Sequence, residues 1–190
     1  MAGHDWLVGG DRRSAGAERI YAAATDLVIR DGLDALDIDV LAARVHCSRA
    51  TIYRHAGGKT EIRDAVLARA AARIVDTVRQ AVAGRSGAQR VVTAIASALQ
   101  RIRSDPLGQL MVGSVRGTQE MNRLAASPML AGFARDLSGL SEDDRQAAQW
   151  VVRVVLSLLC WPVGDAETEQ QILERFVAPA FAGDGFAAQT

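Results

Sequence analysis

The amino-acid sequence predicts an all-α fold, with an N-terminal head of three helices followed by a larger helical body. Apolar residues recur at steps of three and four along most of the chain, which is the period of an amphipathic helix. No segment alternates apolar and polar residues as a half-buried strand does. We expect a flexible arm at residues 1–11, the head at residues 12–58 and the body at residues 59–190.

The three helices of the head are delimited by residues that begin and end helices. Gly32 tolerates the backbone conformation that ends a helix, so the first helix stops there. Asp37 and Ser48 are of the type that caps helix N-termini, and they predict the starts of the second and third helices. Gly57 and Gly58 end the third. The apolar stripe of the first helix is Ala17, Ile20, Tyr21, Ala24, Leu27 and Val28.

The body begins with a long fourth helix at about residues 60–82, followed by a fifth at residues 91–102. Asp105 and Pro106 predict the next helix start, because proline is favoured in the first turn after a capping residue. Residues 113–126 contain two glycines and have mixed polarity. We therefore expect this segment to be broken or loosely wound.

Three further capping residues predict the helices that complete the body. Ser127 precedes a proline, as Asp105 does. Ser141, with Asp144 three residues later, predicts the cap of a helix that Pro162 ends. Asp165 opens the last helix. The apolar stripe of that helix is Ile172, Leu173, Phe176, Val177, Ala180 and Phe181.

Charge is distributed unevenly along a chain whose net charge is zero. Residues 31–39 carry four acids and no base, whereas residues 40–60 carry four bases and no acid. Residues 141–175 are again rich in acids. Two short helices joined by a tight turn, with the second helix basic, have the layout of a helix-turn-helix DNA reader.

The second and third helices read Leu41-Ala-Ala-Arg-Val-His-Cys-Ser-Arg-Ala-Thr-Ile-Tyr-Arg-His55, and Lys59 and Ile62 follow. This run closely resembles the DNA-binding signature of the TetR family of bacterial repressors. The family pattern has an apolar-Ala pair, a Gly-Val-Ser-like turn, then Leu or Ile, Tyr, a variable residue, His or Tyr, and Phe, with Lys or Arg three positions later. The resemblance covers residues 12–62 by motif, and the remainder by chain length and helical layout.

The resemblance implies that the head binds double-stranded operator DNA. The phenol of Tyr53 can donate to a phosphate oxygen, and Lys59 stands where a basic residue and a helix N-terminus meet a phosphate. Arg49 and Arg54 can pair with guanine or with phosphates, and the sequence leaves both open. The expected DNA-binding residues are Ser48, Arg49, Thr51, Tyr53, Arg54, His55 and Lys59.

Three residues depart from the family pattern. Asp37 stands where the family often has a phosphate-contacting Thr, and a carboxylate would repel phosphate, so we assign it only as a cap. His46 replaces the turn glycine, at a position expected to require a left-handed backbone that His tolerates better than most residues. Ala56 replaces the Phe, so an apolar plug is missing.

The C-terminal half indicates a partner subunit. Residues 150–161 are apolar almost all round, so a helix there must be covered on two sides. The resemblance to the TetR family implies the cover, because its last two helices form a four-helix bundle with those of a second subunit. In such a homodimer two recognition helices about 34–36 Å apart read the half-sites of a palindrome.

The resemblance also implies a small apolar effector, bound among the middle helices, that changes the separation of the two heads and releases the operator. Met-rich apolar residues beside a broken segment favour an adaptable pocket, although any one of them could be ordinary core. The expected ligand-binding residues are Leu107, Leu110, Met111, Arg116, Gln119, Met129, Phe133, Trp150 and Arg153.

Two other classes of function are compatible with a helical body: an all-helical enzyme and a helical interaction protein whose head has lost DNA binding. Residues 62–190 contain no His and one Cys, so we expect no catalytic site and no cofactor. The spacing of His46, Cys47 and His55 matches no standard zinc pattern, so we expect no metal. Only Asp37 and Ala56 favour the interaction protein.

The sequence also bears on location. The longest uncharged apolar stretch, residues 154–164, has 11 residues, whereas a helix needs about 20 to span a bilayer. The N-terminus does not resemble a signal peptide. Cys47 and Cys160 are too isolated to form a disulfide framework, and Cys160 is expected to be buried in an apolar helix. We therefore expect a cytoplasmic protein with no membrane partner.

Overall fold

The computed structural model describes residues 6–115 and 117–182, with side chains from residue 15 onward. Every regular element in these ranges is helical, which confirms the all-α fold class. The chain divides into two compact units, of which the first ends at Ala71 and the second begins at Ala72.

The N-terminal unit consists of three helices and the first part of a fourth. A 3-10 turn at Leu33–Ala35 joins the first helix to the second. The buried apolar residues of this unit are Ile20, Ala24, Leu27, Val28, Leu36, Ile38, Leu41, Ala42, Ile52, Ala56, Ile62, Val66 and Ala70. The helices are α1 (Trp6–Asp31), α2 (Ile38–Arg44), α3 (Arg49–Ala56) and α4 (Lys59–Ala81), which continues into the second unit.

The predicted boundaries of the short helices are confirmed. Gly32 follows α1 with φ +91° and donates its N–H to the carbonyl of Val28. The Oδ1 atom of Asp37 accepts the backbone N–H groups of Asp39 at 2.7 Å and Val40 at 3.2 Å, so it caps α2. A β-region conformation at Asp37 directs this side chain toward the amides of the first turn.

The start of α1 differs from the sequence-based expectation. The segment expected to be a flexible arm, residues 1–11, is helical from Trp6 onward, and residues 1–5 lie outside the described residues. Residues 6–14 contain no proline, but they also contain Gly9, Gly10 and no alanine, so local helix propensity does not account for this extension.

The boundary between the two units lies within α4 rather than at its start. Ile62, Val66 and Ala70 are fully buried in the N-terminal unit. The Arg69 guanidinium donates to Glu18 of α1 at 2.5 and 2.6 Å and stacks 4.4 Å from the ring centroid of Tyr21. The first part of α4 is therefore a fourth helix of the head.

The second unit contains the remaining helices and two apolar clusters. The larger cluster packs α5 and α9 against the C-terminal turns, with Ile95, Leu99, Val151, Leu173 and Val177 among its buried members. The helices are α5 (Gly87–Ser104), α6 (Pro106–Ser114), α7 (Thr118–Ala125), α8 (Pro128–Ser138), α9 (Arg145–Cys160) and α10 (Ala166–Ile172).

An ion pair in which only the carboxylate is buried holds α10 in this unit. Arg103 of α5 donates to both carboxylate oxygens of Glu169, at 3.0 and 2.8 Å, and to the carbonyl of Leu158 at 2.8 Å. The Glu169 side chain is only 9% exposed. Fully paired in this way, a buried carboxylate avoids the cost of an isolated charge.

A second buried carboxylate connects α6 to α4. The Oδ1 atom of Asp105 accepts the amides of Leu107 and Gly108, which confirms the predicted cap of α6. Its Oδ2 atom lies 3.1 Å from Arg101 and 3.5 Å from Arg73, which belongs to the second part of α4. One side chain thus joins three helices.

One sequence-based expectation for the body is wrong and another is confirmed. Ser141 does not cap α9: the helix begins at Arg145, its N-cap is Asp144, and no side-chain capping bond forms. The main-chain turn from Ser141 to Asp144 delays the start of the helix. Residues 113–126 are broken as expected, because α6 ends at Ser114 and α7 begins at Thr118.

The end of the chain also departs from a simple amphipathic helix. Asp165 caps α10 as predicted, accepting the amide of Thr168 at 2.8 Å. A π-helical turn at Leu173–Val177 and a 3-10 turn at Ala178–Phe181 follow. Pro179 has no N–H, so the α-helical bonding pattern cannot continue through it.

Candidate DNA interface

The third helix begins at a well-formed cap. The Oγ atom of Ser48 accepts the amide of Thr51 at 3.2 Å, and the two hydroxyls lie 2.9 Å apart. Ser48 is exposed and Thr51 is half-buried. Both predicted hydroxyls therefore stand together at the N-terminus of α3, where the helix dipole also favours an anion.

One face of α3 is buried and the other is exposed. Ile52 is fully buried and Ala56 is 6% exposed, which fixes the helix against α1 and α2. On the opposite side, Arg49 and Arg54 are exposed, and Tyr53 is 52% exposed. Two bases and a phenol on the open face of a helix are the groups that contact DNA phosphates and base edges.

The turn between α2 and α3 takes the conformation expected of it. His46 has φ +53°, the one positive φ of a non-glycine residue among those the structure describes. The amide of Cys47 donates to Ala42 at 3.0 Å, which closes the turn at the end of α2. A histidine in the left-handed region thus substitutes for the usual glycine.

His55 has a structural environment that the sequence did not indicate. A Cβ placed on Gly16 of α1 would lie 3.2 Å from the Nδ1 atom of His55. The imidazole therefore rests against the surface of α1, and it is half-buried. Gly16 permits this close approach, so His55 packs against α1.

The glycine pair after α3 allows α4 to begin close to α3. Gly57 has φ +81°, and a Cβ there would come within 2.9 Å of Glu61. A Cβ on Gly58 would lie 3.6 Å from the ring of Tyr53. Ala56 stands where the family pattern has Phe. It is buried, so this position lies within the packed core of the unit.

Lys59 opens α4 with its ammonium on the surface. Its Nζ atom donates to the carbonyl of Asp34 at 3.3 Å, and the residue is exposed. The pKa of Asp37 is lowered mainly by the two backbone N–H groups that donate to its carboxylate. The positive charges of Lys59 and Arg49 lower this pKa further. Asp37 is therefore an ionised cap beside two bases.

Sequence reasoning missed one residue of this site. The Nε atom of Arg49 lies 3.1 Å from Oδ1 of Asp39 in the first turn of α2. Asp39 stands one position outside the window of residues 40–60 that contains no acid. Its position in the sequence gives no signal, because only the packing of α2 against α3 brings the two side chains together.

The residues expected to bind a ligand have different environments. Leu107 is fully buried, whereas Met129 is 62% exposed. Leu110, Met111 and Phe133 are half-buried, while Gln119, Trp150 and Arg153 are exposed. The ring of Trp150 lies 5.8 Å from that of Phe181. Arg116 lies outside the described residues.

A surface groove occurs in the second unit, in a different place from the expected pocket. Its volume is about 370 Å³, and both α5 and the C-terminal segment line it. None of the expected ligand-binding residues belongs to its lining. The lining residues are Arg85, Ala88, Gln89, Val92, Thr93, Gln170, Glu174 and Ala178.

Two other kinds of feature are absent from the described part of the chain. No group of three or more His, Cys, Asp or Glu residues there could hold a metal ion. None of the helices described is both long and apolar enough to cross a membrane. Cys160 is half-buried rather than buried, because it lies at the end of α9.

Comparisons with known proteins extend these observations. The family model described as "Bacterial regulatory proteins, tetR family" matches residues 20–66. The chain is 29% identical over 195 residues to an uncharacterised HTH-type transcriptional regulator of Mycobacterium tuberculosis, covering 100% of this chain and 96% of the relative. It is 41% identical over 58 residues to the DNA-binding transcriptional repressor TetR of Mycobacteroides abscessus, covering 30% and 29% of the two chains.

A solved structure supports the fold. The TetR family repressor AlkX from Dietzia sp. strain DQ12-45-1b has a TM-score of 0.55 and 17% sequence identity, covering 86% of this chain and 94% of that one. At this identity the likeness concerns the fold, which is again a helix-turn-helix head followed by a helical body.

The fold and the site together define a helix-turn-helix DNA-binding protein. The match to the family model falls on the head, and the full-length relative extends the likeness through the body. The head thus matches the TetR family model, and the whole chain is similar to an HTH-type transcriptional regulator.

Proposed function

We propose that this chain is a repressor that binds a palindromic operator as a homodimer and leaves it when a small apolar effector binds. The observation that carries the proposal is the open face of α3. Ile52 and Ala56 anchor the helix, whereas Arg49, Tyr53 and Arg54 remain exposed. The major groove of B-DNA admits an α-helix, and these side chains are long enough to reach its floor and its phosphates.

The proposed DNA contacts divide by chemistry. Tyr53 and Lys59 are exposed donors, and the hydroxyls of exposed Ser48 and half-buried Thr51 lie at the N-terminus of α3, so we expect these four side chains to bind phosphates. We expect binding to fall steeply with salt: about 6–10 phosphate contacts cost roughly 10³–10⁵ in affinity between about 50 and 200 mM. Fluorescence anisotropy on a palindromic duplex measures this dependence, and a flat response contradicts the proposal.

Single variants make the test sharper. Lys59→Gln removes one proposed phosphate contact, so the slope of log affinity against log salt should fall by about one. Arg145→Gln is the matched control, because Arg145 is an exposed base at the start of α9 in the other unit. Equal effects of the two variants would mean that Lys59 contributes only net charge.

The proposed dimer uses the two C-terminal helical segments. Trp161 is 69% exposed and Phe176 is 65% exposed, an unusual degree of exposure for large apolar side chains. Leu173, Val177 and Phe181 belong instead to the core of the same subunit. A second copy covering the exposed residues would remove this apolar surface from water, which favours association.

Sedimentation tests this interface. Phe176→Arg should leave helicity intact and shift the protein toward monomer, because it would bury an unpaired charge in the interface. Ile29→Arg is the control: Ile29 is 40% exposed on α1, and its change should leave the dimer as it is. A Phe176→Arg protein with unchanged dimer affinity would place the interface elsewhere.

The proposed effector binds among α6, α7, α8 and α9. Half-buried Leu110, Met111 and Phe133 provide apolar surface that is incompletely covered, and Met side chains adapt to varied shapes. Asp105 supplies a connection from this region, because it caps α6 and pairs with Arg73 of α4, the helix that continues into the head. Movement of α6 would therefore act on α4.

Reciprocal linkage tests the effector. A ligand that releases the operator must be weakened by the operator by the same factor. Titration of an apolar fluorescent dye with and without operator DNA, read by the dye and by tryptophan emission, measures that factor. Equal dye affinities in both conditions would exclude regulation through this site, and an unchanged affinity in Phe133→Ala would exclude these residues.

We further propose that the protein acts in the cytoplasm and that it has no catalytic activity or cofactor. The relatives that match it are transcriptional regulators, a non-enzymatic class. The alternative of a helical interaction protein is distinguished by the same anisotropy experiment, because such a protein would bind no duplex selectively.

A further inference from the structure

The side chain of Arg49 is accompanied by a carboxylate from the neighbouring helix. Its Nε atom lies 3.1 Å from Oδ1 of Asp39, and both side chains are more than 60% exposed. Asp39 is in the first turn of α2, which is fixed on either side by buried Ile38 and Leu41. Ile52 anchors α3 in the same core. The backbone that carries Asp39 is therefore held beside the first residue of α3.

The two acids at the start of α2 have different tasks. Asp37 accepts the amides of Asp39 and Val40, so its carboxylate is engaged in capping the helix. Asp39 makes no comparable cap, and its carboxylate lies instead against Arg49. Each of these acids would repel a DNA phosphate, so Asp39 does not itself strengthen the attraction of the head to the DNA backbone.

The geometry at Arg49 indicates a different role for the Asp39 carboxylate. A guanidinium has five donors in a planar fork, so a carboxylate near Nε still leaves donors on the two terminal amino groups for other acceptors. That pair of amino groups matches the O6 and N7 acceptors of guanine in the major groove. The nearby carboxylate also offsets the charge of Arg49, which weakens its attraction to phosphates but leaves the directional bonds to a base edge.

We propose that Asp39 is a positioning residue that directs Arg49 to a guanine rather than to a phosphate, and so determines part of the operator specificity. This inference rests on the proposed function, because it requires sequence-selective DNA binding. The sequence left open whether Arg49 pairs with guanine or with a phosphate, and this proposal selects guanine.

The test begins with duplexes selected from a random library by the full-length wild-type chain. Affinities are then measured for the selected duplex, for duplexes in which each guanine is replaced in turn, and for an unrelated duplex. Asp39→Asn should reduce the preference for one guanine by about 5-fold or more, out of the roughly 5- to 150-fold that a bidentate pair contributes. It should also strengthen binding to the unrelated duplex.

A second variant tests the same step without changing α2. Arg49→Lys keeps the charge but loses the planar fork, so it should lose preference at the same guanine. The double variant should lose no more than Arg49→Lys alone if Asp39 acts through Arg49. Asp26→Asn is the charge-matched control: Asp26 is an exposed acid of α1, and its change should leave the guanine preference as it is.

The outcomes separate this inference from the proposed function. Retention of the full guanine preference by Asp39→Asn would overturn the positioning role, as would losses that multiply in the double variant. An equal loss in Asp26→Asn would also overturn it, because net charge would then explain the effect. A wild-type chain that selects no sequence at all would overturn the proposed function, and this inference with it.

Discussion

Removal of the Arg103 guanidinium tests how the C-terminal helical segment is held to the body. Arg103 makes three hydrogen bonds: two to the Glu169 carboxylate and one to the carbonyl of Leu158 near the end of α9. The Glu169 side chain is 9% exposed, whereas that of Arg103 is 37% exposed. Arg103→Ala would therefore leave a carboxylate with little access to water and no cation.

The asymmetry of exposure sets the magnitudes. Breaking a fully buried ion pair costs about 3–5 kcal/mol, and the partial exposure of Arg103 reduces this to about 2–3 kcal/mol for Arg103→Ala. Glu169→Ala should cost less, about 1–2 kcal/mol, because the released guanidinium can reach solvent. Changing both residues to Met removes both charges and should restore most of the stability.

Differential scanning calorimetry of the full chain measures the effect, at one protein concentration because the proposed dimerisation would raise the midpoint. At roughly 2–4 °C per kcal/mol for a chain of this size, Arg103→Ala should lower Tm by about 4–12 °C. Arg79→Ala is the control, since its pair with Asp76 is exposed on both sides and should contribute under about 0.5 kcal/mol. An unchanged Tm in Arg103→Ala would refute the reasoning, as would a double variant no more stable than Arg103→Ala.

Three further predictions concern local structure. Gly108→Ala should lower the free energy of unfolding by about 1–3 kcal/mol in guanidinium denaturation, because its Cβ would lie 2.5 Å from the Ile102 carbonyl oxygen. Gly113→Ala on the same helix is the control: its Cβ would meet nothing within 4 Å, so it should raise the free energy of unfolding by up to about 1 kcal/mol. The reverse order would contradict the packing of α6 on α5. Ser48→Ala should cost about 1 kcal/mol through loss of the α3 cap, and Ser48→Asp should not. Because backbone N–H groups lower the pKa of Asp37 from 3.8, its contribution to stability is present above that value and is lost as the pH falls through the lowered folded value. The stability difference between wild type and Asp37→Asn should therefore shrink in acid; an equal difference at about pH 7 and pH 3 would count against it.

Much of the local structure was determined by the sequence alone. The caps at Asp37, Ser48, Asp105 and Asp165, and the left-handed turn at His46, were all predicted and are all present. These features depend on a side chain and amides within three residues of it, so the sequence contains every group involved. The basic window and the DNA-reading motif are likewise local, which is why the family was recognisable from one short segment.

Residues of the last apolar stripe differ in exposure, although the sequence pattern predicts the same environment for all of them. The stripe of the last helix includes Leu173 and Phe176, yet Leu173 is fully buried and Phe176 is 65% exposed. The π-helical turn at Leu173–Val177 changes the angular spacing of side chains, so the period of an α-helix misassigns them. Periodicity indicated an apolar segment here but not which members face the core.

Contacts between distant segments were decided only by tertiary structure. Arg103 and Glu169 are 66 residues apart, and the approach of Asp39 to Arg49 depends on how two short helices pack. Arg69 similarly binds Glu18, 51 residues away, and so assigns the first part of α4 to the head. No local pattern encodes these pairs, because a long charged side chain on a helix surface is compatible with solvent or with any opposite charge that packing brings within reach. The partner is chosen when the buried apolar faces dock and fix the helices that carry the charges.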